Sequence, residues 1–373
     1  CAIMLRMNFP KLAMVLMLAW GAHLRAQLED CDKATQAKCA ESLKTPLPAE
    51  AVAVSAPNAW PECDSLRSYS GIGGRVDFEA ARRCAWSERL AIEAGLEPRY
   101  STASVFGGSA MLSVLYANGQ GVARNIPLAI RFACEAGGAP AEIAIRVKHI
   151  ESLHSQPAAV GSLFQFCDDI TSGFMQGFCA AYDSEIEDQK RANSLDAVVS
   201  RFTTTQRSAF NTLRKLEEDY AHAHAKGEID LSGTARAMYQ IDAQDTVRDD
   251  FVAALKLFEV GRFPTAPAGQ YADADARLNR AYHKALNDAE EHKNDYGAVQ
   301  PEGIRDAERA WLKYRDAWIA FAKLRYPAVP AEAWLALLTG DRTSILDGSF
   351  CDMDAEDGPC AQKGDTWKPS PLP

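Results

Sequence analysis

One segment constrains the fold of this 373-residue chain more than any other stretch. Trp311, Tyr314, Trp318 and Phe321 follow one another at intervals of three, four and three residues. At the period of an α-helix these rings form one continuous stripe, which predicts an amphipathic helix that packs its aromatic side into a core. Arg315 stands one turn after Trp311, so its guanidinium can lie along the aromatic edge.

A wider pattern surrounds this stripe between about residues 271 and 346. It begins with Asp275, Leu278-Asn279 and Tyr282, continues through Ala310-Trp311 and Tyr314-Arg315-Asp316, and ends with Thr339, Arg342 and Leu346. These motifs, in this order, resemble the lysozyme inhibitor LprI-type domain family, whose members are small helical domains of the bacterial cell envelope. The resemblance selects candidate residues for partner binding or for the domain signature: Asp275, Asn279, Trp311, Tyr314, Arg315 and Asp316. The alternative is that these residues serve as caps and salt bridges within the helical hairpin.

The chain departs from this family at two cysteine positions. Family members commonly carry one cysteine shortly after the Tyr-Arg-Asp motif and a second one before the last helix. Apolar residues such as Trp318, Phe321 and Trp334 fill these places here. We therefore expect packing, rather than a disulfide, to hold this segment together.

Overall charge narrows the classes of partner. The chain has 40 lysines and arginines against 50 aspartates and glutamates, a formal net charge of −10. Nucleic-acid binding needs basic patches that displace counterions, so this balance argues against a nucleic-acid partner. It favours a basic protein partner, and secreted lysozymes are commonly basic.

Residues 1–26 have the pattern of a signal peptide. Lys11 precedes the apolar run from Leu12 to Trp20, and Leu24-Arg-Ala26 is a suitable cleavage site. The run is too short to span a bilayer, so we expect no stable membrane span after cleavage, with an uncleaved anchor as the alternative. Residues 27–61 are predicted to be a flexible leader and residues 351–373 a tail. The expected location is periplasmic or secreted.

Cysteine usage also favours export. Nine cysteines follow residue 26, and several are close neighbours in sequence, as in disulfide-stapled proteins of oxidising compartments. The expected pairs are Cys63–Cys84, Cys167–Cys179, Cys351–Cys360 and Cys31–Cys39. Cys134 is then left over as a buried thiol. No zinc site is expected, because the chain lacks a Cys-x-x-Cys motif and a histidine at ligand spacing.

Residues 62–188 carry a repeated helix–turn–helix pattern. In the clearest unit a helix through Leu115-Tyr116 enters a turn at Gly119-Gln-Gly121, and Asn125 then caps a second helix. This unit resembles a Sel-one-like repeat, a tetratricopeptide-related helical hairpin. Residues 63–85 match more loosely, and residues 164–182 have lost the signature. Such hairpins stack into protein-binding surfaces, and a compact helical cap is the alternative.

The remaining chain is also predicted to be helical. Residues 189–261 predict a long helical hairpin, and the glycine- and proline-rich stretch after it is the clearest domain boundary. Residues 270–350 form the LprI-type domain, in which Pro301 opens the aromatic helix and Gly340 leads into a final turn. The fold class is therefore all-α: helical-hairpin repeats followed by a long helical hairpin and a small helical C-terminal domain.

Motifs of catalysis are missing from the sequence. It contains neither Gly-x-Ser-x-Gly nor His-Glu-x-x-His, so we expect no catalytic residue, no metal and no cofactor. The leading prediction is an exported cell-envelope protein that binds a protein partner, with a lysozyme or another cell-wall enzyme as the candidate. One alternative is a periplasmic scaffold. Another is a wall-directed hydrolase, which requires two carboxylates in a cleft and a raised pKa in one of them.

Overall fold

A computed structural model describes residues 28–53, 63–96, 102–155 and 163–349 of the chain. All regular elements within these ranges are helices, which confirms the all-α prediction. The chain divides into two compact units, residues 1–179 and residues 180–373. The predicted signal peptide, the predicted tail and the expected Cys351–Cys360 pair lie outside the described residues.

The first unit is built from short helices. They are α1 (Lys33–Ser42), α2 (Ala49–Ala53), α3 (Ser65–Ser70), α4 (Phe78–Glu93), α5 (Thr102–Phe106), α6 (Ser109–Asn118), α7 (Ile126–Ala136) and α8 (Pro140–Ser152). Short 3-10 turns follow at Leu153–Ser155 and Phe166–Asp169. Helix α9 (Gly173–Val199) begins in this unit and contains the boundary between the two units.

Local sequence signals place two helix–turn–helix hairpins in this unit. Gly119 ends α6 in the left-handed conformation with φ 71°, and the Asn125 side chain caps the start of α7. Gly71 ends α3 in the same way with φ 74°, and Asp77 caps α4. Glycine adopts this conformation without the steric cost of a Cβ, and Asn and Asp satisfy free backbone N–H groups at helix starts.

Disulfides connect the helices of the first unit. The Cys63–Cys84 and Cys167–Cys179 pairs are present, as expected from their closeness in sequence. A third bond joins Cys39 of α1 to Cys134 of α7. Three disulfides within the described residues fit a protein of an oxidising compartment.

Two cysteine predictions are wrong, because Cys39 does not pair with Cys31 and Cys134 is not a thiol. Cys39 and Cys134 are bonded, with their Cα atoms 5.7 Å apart. Cys31 precedes α1 and Cys39 lies near its end, so a rise of about 1.5 Å per residue separates them by roughly 10 Å. A disulfide spans at most about 7 Å between Cα atoms. Helix α1 instead presents Cys39 to α7.

The second unit is built from long helices that share one core. After the end of α9 they are α10 (Thr204–Gly227), α11 (Arg236–Glu259), α12 (Gln270–His292), α13 (Pro301–Arg325) and α14 (Ala331–Ser349). Helices α10 and α11 pack against each other, and α11 ends before residue 261. Helix α13 packs along α10, and α14 packs along α12. Helices α10 and α11 and the three helices after them therefore contribute to the same hydrophobic core.

The residues that stand where the family commonly has cysteines are core residues. Trp318, Phe321 and Trp334 are almost completely buried. The rings of Trp318 and Trp334 stack with their centroids 6.3 Å apart, and Phe258 of α11 meets Trp334 edge-on at 4.8 Å. Such aromatic contacts add to the free energy of burial. The segment is held by packing, as predicted.

Glycines have different roles at two places in this unit. Gly227 ends α10 and Gly303 lies in the first turn of α13, and a Cβ added to Gly227 would lie 2.5 Å from the Gly303 carbonyl oxygen. The two helices therefore cross in backbone contact. Gly340, by contrast, lies inside α14 with open space around it. The prediction of a turn after Gly340 is wrong, because the favourable packing of Trp334 and Leu346 on either side continues the helix.

Candidate functional site

The aromatic stripe of α13 faces inward. Trp311, Tyr314, Trp318 and Phe321 are all buried. The Trp318 indole N–H donates to the Tyr314 hydroxyl at 2.7 Å, and the Tyr314 ring stacks on Tyr220 of α10 with centroids 5.7 Å apart. Burial raises the pKa of Tyr314 well above its usual range. Tyr314 is therefore a core residue rather than an exposed contact residue.

Four of the six sequence-selected residues line one groove between α12 and α13. Helix α12 contributes Asp275 and Asn279, and α13 contributes Trp311 and Arg315. Each pair is four residues apart and so lies on one helix face. The groove has a volume of about 360 Å³. The other lining residues are Leu278, Tyr282, Arg305, Glu308, Arg309 and Leu312. We call this site the α12–α13 groove.

Local hydrogen bonds orient the polar side chains of the groove. The Asn279 amide donates to the Asp275 carboxylate at 3.1 Å and to the Asp275 carbonyl at 2.8 Å. Arg315 donates through Nε and Nη2 to one oxygen of Asp316, at 3.0 and 2.8 Å. Its guanidinium lies 5.4 Å from the centroid of the Trp311 ring, as its spacing predicts. Asp316 itself is exposed and holds Arg315 from outside the groove.

Arginine side chains are concentrated in the lining of the groove. Arg305, Arg309 and Arg315 line it together with only two carboxylates, in a chain whose net charge is −10. Arg309 pairs with Glu302 at 3.2 Å and with Asp306 at 2.7 Å, and these groups are mostly exposed. Exposed ion pairs contribute at most about 1 kcal/mol each. These arginines can therefore exchange their present partners for new ones at small cost.

The groove lies in a segment that a known family matches. Residues 267–346 match the family model of the lysozyme inhibitor LprI. This LprI-matching segment contains α12, α13 and most of α14, and it excludes the first unit as well as α10 and α11. Comparisons with curated proteins and with solved structures gave no match.

A buried ion network connects the LprI-matching segment to α10. Arg342 of α14 donates to both carboxylate oxygens of Glu228, at 2.8 and 2.5 Å, and to Glu308 of the groove at 3.0 Å. His224 Nδ1 lies 2.7 Å from the same Glu228. Burial disfavours the ionised form of Glu228, but Arg342 outweighs it and holds the pKa of that carboxyl below its usual range. Burial raises the pKa of Glu308.

Sequence reasoning missed Glu228 and His224. Arg342 belongs to the family-like motif at the end of the segment, but Glu228 stands 114 residues before it. No local spacing relates two residues that meet only through the packing of distant helices. Arg342 is completely buried and satisfied, so this part of the signature stabilises the fold.

A second pocket lies on the other side of Trp311. It has a volume of about 60 Å³ and is enclosed by α10, α11, α13 and α14. Its wall is largely aromatic, with Tyr220, Phe251, Phe258, Trp311, Tyr314, Trp318 and Trp334. Asp250 of α11 and Asp341 of α14 add two carboxylates. We call this site the α11–α14 pocket. No sequence pattern indicated it, because its carboxylates come from helices far apart in the chain.

Two features are absent from the described part of the chain. Within it, no group of three or more His, Cys, Asp or Glu side chains is placed to hold a metal ion. None of its helices combines the length and the apolar character that crossing a bilayer requires.

Proposed function

We propose that this protein is exported to the cell envelope, where it binds a lysozyme or another wall-degrading glycosidase and occupies the cleft of that enzyme. The observation that carries this proposal is the composition of the α12–α13 groove. Four residues of the family-like signature line it, together with two further arginines. The match of residues 267–346 to the lysozyme inhibitor LprI supports the same class of partner.

The chemistry of the groove is complementary to a glycosidase cleft. Most such enzymes act through two carboxylates that flank the scissile bond. A guanidinium is planar and pairs with carboxylates in a bidentate manner, so arginines in a groove suit this target. Arg315 is held by a single exposed carboxylate, Asp316, and can turn from it to a carboxylate of the enzyme. Trp311 is almost completely buried beneath the groove, and its ring lies 5.4 Å from the guanidinium of Arg315 and supports it.

A hydrolase is the less favoured alternative. The α11–α14 pocket has two carboxylates, but its volume of about 60 Å³ is far below that of ordinary small-molecule sites, roughly 300–1,000 Å³. A sugar ring does not fit there. In the larger α12–α13 groove, Glu308 is held by Arg342 and Asp275 accepts from Asn279. We therefore favour a role without catalysis.

A periplasmic scaffold is the second candidate function, and a specific observation favours it. Tyr314 and Arg342 belong to the family-like signature, yet both are buried and hydrogen-bonded inside the second unit. A signature that serves only the fold would leave binding to other surfaces. The predicted repeat hairpins of the first unit are then the proposed partner-binding surface.

Calorimetric titration of a lysozyme into the oxidised protein separates these two functions. We expect the wild type to bind with one-to-one stoichiometry. Arg315→Gln keeps most of the aliphatic stem but removes the charge, and it should weaken binding about tenfold, which corresponds to about 1.4 kcal/mol. Lys323→Ala is the matched control, because Lys323 is an exposed cation on the same helix outside the groove. Absence of binding to lysozymes of several types would favour the scaffold.

A further inference from the structure

The α11–α14 pocket holds two carboxylates to which the protein supplies no counter-charge. Asp250 is half-buried in its wall, and Asp341 lies at its exposed mouth. Neither carboxylate has an ion pair or a hydrogen bond with any residue in the described ranges. Burial and the neighbouring Asp249 raise the pKa of Asp250 to about 6. Asp341 lies close enough to Asp250 for the two charges to repel each other, and water at the mouth screens part of this repulsion.

The charged groups around the pair include no cation that is free to neutralise it. The titratable and charged groups around it are Tyr220 from α10, Asp249 from α11, Tyr314 from α13, and Arg342 from α14. Arg342 is the only cation among these lining groups, and its guanidinium is taken up by Glu228, Glu308 and the Tyr220 hydroxyl. The two aspartates therefore face the pocket as an uncompensated pair.

The aromatic wall is also incompletely satisfied. The indole N–H of Trp334 is buried and has no hydrogen-bond partner among the described side chains. Buried polar groups normally have partners, so an orphaned donor and two unpaired carboxylates in one small cavity call for an explanation. A cation would neutralise the two carboxylates, whereas the Trp334 N–H needs an acceptor, which water entering the cavity can provide.

We propose that this pocket holds the guanidinium group of an arginine side chain from the protein partner. The identity of that partner rests on the proposed function, whereas the chemistry of the pocket does not. A guanidinium stacks on aromatic rings, pairs with carboxylates and is weakly hydrated, so it tolerates an apolar wall better than an ammonium does. A cavity of about 60 Å³ admits such a head group and little more.

The pocket and the α12–α13 groove have one wall in common. Trp311 lines both the α12–α13 groove and the α11–α14 pocket. The side chain of Trp311 therefore separates the two sites. The groove presents arginines and the pocket presents carboxylates, so the two sites together select a partner with a carboxylate cleft and a basic rim.

Small probes test the pocket without the partner. The full-length protein, labelled with ¹⁵N-tryptophan, is titrated with N-acetyl-arginine amide while the indole N–H signal of Trp334 is followed. N-acetyl-citrulline amide is the neutral isostere, and N-acetyl-lysine amide tests the head group. We expect saturable shifts with arginine, weaker binding of lysine and no shift with citrulline. Equal shifts with citrulline, no shift with arginine, or tighter binding of lysine would overturn the proposal.

Charge-removing variants locate the binding groups. Asp250→Asn and Asp341→Asn keep the side-chain shape and relieve like-charge repulsion, so the fold is retained. Each should weaken arginine-amide binding about tenfold, which is the loss expected for one close charge pair. Asp273→Asn removes an equal charge on α12 outside both sites and should change nothing. Unaltered binding in both pocket variants would overturn the assignment.

The pH dependence gives an independent readout of the same site. Protons compete with the guanidinium for Asp250, whose pKa is about 6. Affinity for arginine amide should therefore fall as the pH is lowered from 8 to about 5. An affinity that is independent of pH over this range would contradict a carboxylate-based site.

Titration of a lysozyme with the same variants separates this inference from the proposed function. If Asp250→Asn weakens lysozyme binding and Asp273→Asn leaves it unchanged, the result supports both the pocket and the proposed function. Arginine-amide binding by a wild type that binds no lysozyme would contradict the proposed function and support the pocket chemistry. Lysozyme binding that survives Asp250→Asn and Asp341→Asn unchanged would overturn the role of the pocket and leave the groove in place.

Discussion

Arg342 and Glu228 stand 114 residues apart in the sequence, yet they form a bidentate ion pair in which both side chains are completely buried. Nη1 and Nη2 of Arg342 lie 2.8 and 2.5 Å from the two carboxylate oxygens. Glu228 directly follows α10, whereas Arg342 belongs to the LprI-matching segment. The pair therefore ties the matched segment to a helix that precedes it.

Removal of Glu228 should destabilise the protein strongly. Glu228→Ala leaves a buried guanidinium without its main counter-charge, which costs about 3–5 kcal/mol in free energy of unfolding. Chemical denaturation measures this loss. The control is Glu302→Ala, which breaks pairs with Arg305 and Arg309 on the exposed surface. It should cost at most about 1 kcal/mol. Equal losses in the two variants would refute a stabilising role for the buried pair.

Two glycine substitutions should have opposite effects on stability. Gly227→Ala places a Cβ 2.5 Å from the Gly303 carbonyl oxygen, so α10 and α13 must move apart. We expect a loss of about 1–3 kcal/mol, as for overpacked cores. Gly340→Ala meets open space inside α14 and should stabilise the protein by about 0.5–1 kcal/mol through helix propensity. Thermal denaturation of both variants checks the signs, and a stable Gly227→Ala protein would contradict the close helix crossing.

A buried carboxyl group should make stability depend on pH. Glu217 is completely buried, and burial outweighs the opposing effect of Arg214 to raise its pKa from 4.5 to about 7. The folded state therefore holds this proton to higher pH than the unfolded state does. The contribution of protonated Glu217 to stability is present below pH 4.5 and is lost as the pH rises towards 7. Glu217→Gln should remove this decline and gain about 1–3 kcal/mol at pH 8.

The adjacent Glu218 provides the control for this prediction. Its hydrogen bonds with Arg248 hold the pKa of that carboxyl below the usual range. The contribution of Glu218 is therefore present at neutral pH and lost in acid, which is the opposite sign. Glu218→Gln should lower stability at pH 8, and urea denaturation at several pH values compares the two variants. A Glu217→Gln protein that is less stable than the wild type at pH 8 would contradict the assignment.

Local patterns predict the helices and part of the site. The stripe from Trp311 to Phe321 has a helical period, and Asn125 has the chemistry of a cap, so each signal lies within a few residues of its effect. Spacing of one turn likewise places Asn279 beside Asp275 and Arg315 beside Trp311. Only the family resemblance indicated that these two pairs act together, because they lie on different helices.

The remaining features depend on contacts between distant parts of the chain. Cys39 meets Cys134 across 95 positions, so preference for the nearest cysteine selected the wrong partner. Asp250 and Asp341 meet at the pocket only because α11 and α14 pack around the same aromatic rings. Gly340 was predicted to lead into a turn, but tertiary packing outweighs the intrinsic preference of a single residue.

The most direct test of the central claim is a turbidity assay in which a lysozyme clears bacterial cell walls in the presence of the purified, oxidised protein. We expect clearing to stop once the protein reaches the concentration of the enzyme. Arg315→Gln should restore clearing, whereas Lys323→Ala should inhibit like the wild type. Undiminished clearing by lysozymes of several types at a molar excess of folded wild-type protein would contradict the claim that the α12–α13 groove blocks such an enzyme.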